Sequence, residues 1–145
     1  MSRAGLKKIK KSTKRGMRSY WVRADADQKL RKGLGILGSS VGAVVGFGGG
    51  SALLKSVRRG LTPQTQVATY FAGGLLGHAT GSFAGYKAGN AVGSFVARKV
   101  GSTKLKTAVG TFAALAGTVI HGNNTYEIGR DVGFARDFLR ERGSR

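Results

Sequence analysis

Chemistry at a protein site most often recruits His, Cys, Asp or Glu, and this chain holds two His, six carboxylates and no Cys. His78 and His121 stand in a stretch with no Asp or Glu between Asp27 and Glu127, so neither a Ser/His/Asp triad nor a metal-ligand cluster can be spaced out of it. The expectation is no enzyme, no catalytic residue, no metal and no cofactor. His78 reads as a partner in an interhelical hydrogen bond, or else as a proton- or ion-handling group at membrane depth. His121, beside Gly122, Asn123 and Asn124, reads as a residue at a helix end. Asn123-Asn124-Thr125 matches a glycosylation acceptor, which matters only in a secretory setting.

Phosphate chemistry has two candidate carriers. Gly33, Gly35 and Gly38 spell G-x-G-x-x-G, but a dinucleotide fingerprint needs a preceding strand and an acidic residue roughly 20 positions on. Here the motif follows a polar, basic stretch, and Lys55, Arg58 and Arg59 occupy the region of the ribose carboxylate. Nucleotide binding is not expected, and Gly48, Gly49 and Gly50 read instead as a flexible end or kink of a helix. The second carrier is charge. Lys and Arg number 25 against 6 acids, a net charge of +19 and a pI near 11.4, so the natural partners are anionic.

The charge divides the chain into three parts. Residues 1–32 form a basic arm with twelve cations against Asp25 and Asp27. Within it Lys7, Lys8, Lys10, Lys11, Lys14, Arg15 and Arg18 are the candidate contacts to nucleic-acid phosphates or anionic lipid headgroups. Residues 33–126 hold eight cations and no acid, set among Gly, Ala, Val, Leu and Phe. Residues 127–145 mix five Arg with four acids around Ile128, Val132, Phe134, Phe138 and Leu139, the pattern of a short amphipathic helix, with Asn124 and Glu127 suited to its cap.

Glycine spacing says what positions these parts. Gly73, Gly77, Gly81, Gly85, Gly89 and Gly93 recur at every fourth position, and Gly38, Gly42, Gly46 and Gly50 repeat the pattern upstream. Such spacing lays a groove without side chains along a helix, where a second backbone can come close. Each Gly costs roughly 1 kcal/mol against Ala in a helix interior, so the packing must offset about 6 kcal/mol for the downstream run alone. Four residues advance 400° on a helix of 3.6 per turn, so the groove winds by about 40° per step. It must cross its neighbour in the right-handed sense of such motifs or meet different partners at its two ends.

Three charge-free stretches have lengths that a bilayer would recognise: Leu34 to Leu54, Leu61 to Tyr86 and Thr107 to Tyr126. Tyr20, Trp21, Tyr86 and Tyr126 are placed to act as interfacial anchors. With the arm cytoplasmic, the connection carrying Lys99 and Lys104 is cytoplasmic too, and the C-terminal helix lies across the membrane. The mean hydropathy of −0.13 is low for such a protein, and Gly, Ser, Thr and Ala dilute every span. A soluble helical bundle packed into a larger assembly is therefore the competing expectation.

Over residues 34–101 the repeats resemble the glycine-zipper membrane proteins, a motif class with small phage and bacterial envelope proteins and the mitochondrial inner-membrane translocase family. The resemblance implies an all-α protein of three or four zipper helices, transmembrane, packing against itself or other helical membrane proteins in a bilayer. The function expected is a structural or pore-like component of a virion, host or organellar inner membrane, or of a DNA-delivery assembly. A holin-like permeabilising protein, an accessory subunit of an organellar membrane complex and a soluble nucleic-acid-packing protein are the alternatives. Leu at Gly81 and Gly85 is expected to abolish assembly by filling the groove.

Overall fold

A computed structural model describes residues 3–54 and 60–143, and among them it is all-helical. Helix α1 runs Arg3–Leu53, α2 Pro63–Lys99 and α3 Thr103–Gly143. Each of the three charge-free stretches falls within one helix or its immediate flank. Local signals explain the boundaries. Gly60, at φ 89°, takes the left-handed conformation that the chain needs between α1 and α2. Thr62 then caps α2, its Oγ1 accepting from the Thr65 amide at 3.3 Å, and Pro63 follows at the first helical position. Ser102 does the same for α3, accepting from the Leu105 amide at 3.3 Å. Ala at Gly60 is expected to cost about 1 kcal/mol through its β-carbon at positive φ, read as a lowered thermal midpoint.

Helix α1 is the centre of the unit, with α2 antiparallel on one face and α3 parallel on another. The α2 face uses the zipper: Gly38 meets Gly85, Gly42 meets Gly81, Gly46 meets Gly77 and Gly50 meets Gly73. The α3 face uses a heptad-like spacing. Gly33 lies against Gly110 and Leu37 against Gly117, with Ala26, Leu30 and Ala113 buried along the same seam. Leu30 is the one large side chain fully buried among the described residues.

Several expectations are corrected by this arrangement. The run Gly48 to Gly50 is neither an end nor a kink, because α1 continues through it to Leu53 and Gly50 is engaged against Gly73. His121 is inside α3 and not at a helix end. Residues 127–143 continue α3 as one helix, so Asn124 does not cap a fresh one; the stretch holds no Pro, and the Thr125 hydroxyl donates back to the His121 carbonyl at 2.9 Å within the helix. At the other end, the basic arm is helical from Arg3 and continuous with α1, and Ala26 and Leu30 within it are buried. The packed region thus starts before residue 33.

Candidate packing interface and interhelical polar cluster

Glycine makes the α1–α2 contact possible because a β-carbon has nowhere to go. At Gly42 it would land on the Gly81 carbonyl oxygen, and at Gly81 on the Gly42 carbonyl oxygen. The same reciprocity holds for Gly38 with Gly85, Gly46 with Gly77 and Gly50 with Gly73. Each glycine therefore aims a Cα hydrogen at the facing carbonyl, the geometry of a Cα–H···O contact worth about 0.5–1 kcal/mol. Eight such contacts supply about 4–8 kcal/mol against about 8 kcal/mol of helix propensity lost at the eight glycines. The groove closes on the facing backbone for a near-balanced exchange, and side-chain packing at its edges supplies the surplus.

Beyond the four pairs the register holds. Gly89 faces the Leu34 carbonyl, and a β-carbon on Gly93 would stand 2.8 Å from the Arg31 Cα. All ten zipper glycines thus meet α1 or α2 of the same chain. Of the two geometries expected for a winding groove, one partner along its whole length is realised, and a four-residue contact repeat coils the pair in the right-handed sense. The groove is consequently filled within the chain, and any further association falls to the outer faces.

Those outer faces are apolar. Val45, Leu53, Leu76, Phe83, Phe112, Leu115 and Val119 all stand more than 60% exposed, while the interior is built from Gly, Ala, Ser and one Leu. The order usual in water, with large apolar groups inside, is inverted. One described segment, Arg23–Leu53, is long and apolar enough by length and composition to cross a membrane, with mean hydropathy 1.5 in its best window.

Three polar features join the helices where sequence reasoning saw none. Lys106 of α3 is buried, and its ammonium donates to Asp27 of α1 at 2.5 Å. His78 of α2 faces α3, its Nδ1 standing 3.4 Å from the Asn124 amide nitrogen, with the His121 ring centroid 5.8 Å away. The interhelical bond expected of His78 is present, and the direction of its proton follows the imidazole tautomer. At the far end, an open cleft of about 440 Å³ lies between the start of α2 and the end of α3, lined by Val67, Tyr70, Phe71, Phe134 and Asp131. Among the described residues no three His, Cys, Asp or Glu are grouped to hold a metal ion.

The remaining expected site residues divide. Arg18 is exposed, and the side chains of Lys7, Lys8, Lys10, Lys11, Lys14 and Arg15 lie outside the described residues, as do those of Tyr20 and Trp21. Tyr86, expected at a membrane interface, lays its ring against Gly35 of α1, whereas Tyr126 is 71% exposed. The α3 glycines that the zipper repeat missed, Gly110 and Gly117, were detectable as small residues seven apart with Ala113 between them. Comparison with protein-family models, curated proteins and solved structures gave no match.

Proposed function

We propose that this chain is a small membrane-embedded structural protein, not an enzyme, whose zippered helices form a rigid unit that presents its apolar outside to lipid and to further helices. The observation that carries the reading is the inverted packing: glycine and alanine inside, Phe83, Phe112 and Val119 outside. Solvent-exposed apolar groups in such number mark a surface meant for lipid or for protein. The helix directions give the orientation. With α1 and α3 parallel, the basic arm and the α2–α3 connection share one side, cytoplasmic by the positive-inside tendency, and the end of α3 lies on the other. Exposed Arg31, Lys32, Arg98, Lys99 and Lys104 then ring the cytoplasmic end. On this reading the partners are the bilayer and other copies or other membrane helices in an envelope, virion or organellar inner-membrane assembly.

A second reading is favoured by one specific observation. Aligned by the glycine and Asp27–Lys106 contacts, the three charge-free stretches overlap for only about 11 residues, ~16 Å, against a hydrocarbon core of about 30 Å. Long Lys and Arg stems bridge part of that gap by reaching for the headgroups, and Lys87 extends its ammonium over the Phe83 ring at 4.4 Å. Where protein replaces lipid around the unit, the chain is instead a building block of a helical assembly. Alkaline carbonate extraction separates the two. Retention in the membrane pellet is the expected result, and release into the supernatant would mean that protein covers the apolar faces.

A further inference from the structure

We infer that the first part of α1 is a nucleic-acid-binding arm that works at a distance from the membrane, engaging a duplex through its phosphates. The inference deepens the membrane reading and rests on it for the choice of partner. Its basis is where the three helices stop. The paired register brings the end of α2 at Lys99 and the start of α3 at Thr103 level with about Ala24 of α1. From Arg3 to Arg23 the helix therefore runs on alone, beyond the bundle, for ~30 Å.

That free length is densely charged. Eight cations lie between Arg3 and Arg18, and no acid precedes Asp25. They are strung along ~22 Å of axis, one per ~3 Å, against one phosphate per about 1.7 Å of duplex. Headgroups are a poor match for geometric reasons. A helix continuous with a membrane-crossing segment leaves the surface instead of lying on it. Its charges stand up to ~30 Å from a surface potential that decays within a Debye length of about 8 Å. The headgroup layer already has its own cations in the ring at the end of the bundle, Arg31, Lys32, Arg98 and Lys99 among them. A duplex laid against the arm meets the whole row, with no base readout required.

The test uses the full chain in phosphatidylcholine nanodiscs and a fluorescent duplex DNA, with affinity followed against salt. The parent is expected to lose affinity on the order of a thousandfold between about 50 and 200 mM salt, with a log–log slope of about −5 to −7. A variant with Gln at Lys7, Lys8, Lys10, Lys11, Lys14 and Arg15 keeps helix propensity, and its slope is expected to shrink to about −2. Three results would overturn the proposal: a parent slope shallower than about −2, a variant that binds the duplex as tightly as the parent, or loss of DNA binding when phosphatidylserine is added to the same discs. Carbonate extraction of both proteins is read alongside. A chain that leaves the pellet while keeping the steep slope sinks the membrane reading and leaves the arm's role standing.

Discussion

Ala at Gly42 and Gly81 together is expected to part α1 from α2 and to lower the free energy of unfolding by about 3 kcal/mol, although alanine is the better helix former at both sites. Each new methyl would occupy the place of the facing carbonyl oxygen, so the backbones must separate. Because the contacts repeat every four residues, separation at this pair also lengthens those of Gly38 with Gly85 and Gly46 with Gly77. The lost contacts, about 4–8 kcal/mol in all, outweigh the ~2 kcal/mol gained in propensity. The same substitution at Gly48 and Gly122, where a β-carbon meets nothing within 4 Å, is expected to stabilise by about 1 kcal/mol each. Denaturant titration in detergent followed by circular dichroism reads all four, and a common sign across them would mean that the groove is not closed. The earlier expectation for Leu at Gly81 and Gly85 changes accordingly: the first casualty is the fold of a single chain, and any loss of assembly follows from it.

Asp27→Asn should destabilise by about 2 kcal/mol, because it leaves the buried Lys106 ammonium without its countercharge. The figure sits below the usual range for a broken buried pair since the Asp27 side chain is 34% exposed, and water can reach the position. Lys106→Met is expected to cost less than about 1 kcal/mol, because the carboxylate it abandons is the exposed partner and the methionine stem still fills the seam against α1. The double variant should lie close to Lys106→Met alone. Adding salt should barely change these differences, unlike those of the exposed Lys29–Asp25 pair on α1, where both side chains are more than half exposed. Equal losses for the two single variants would place Lys106 in solvent and remove the ion pair from the account of how α3 docks.

Much of the zipper was legible in the sequence, since a four-residue glycine repeat has no other efficient use in a helix. Which surfaces the two runs would meet was not. Their pairing depends on both runs having the same period and on Gly60, Thr62 and Pro63 turning the chain back, so that Gly50 and Gly73 meet first and the rest follow in step. The α3 interface was harder to see. Gly110, Ala113 and Gly117 follow a different period and face the opposite side of α1 from the zipper, and only a three-helix packing gives that side a partner. The polar cluster of His78, Asn124 and His121 was hidden for the same reason: its members lie on separate helices, far apart in sequence.

Composition and spacing by themselves determined an all-helical chain, a cationic first segment, and helices with one bare face, because charge, helix period and the missing side chains of glycine are local properties. Only the tertiary structure decided that the bare faces are spent on each other, that Asp27 reaches Lys106, and that Phe83, Phe112 and Val119 are left outside. Those outcomes depend on which helix stands beside which and in what register. Register is set by many backbone contacts acting together across the chain, and no single stretch of sequence contains them.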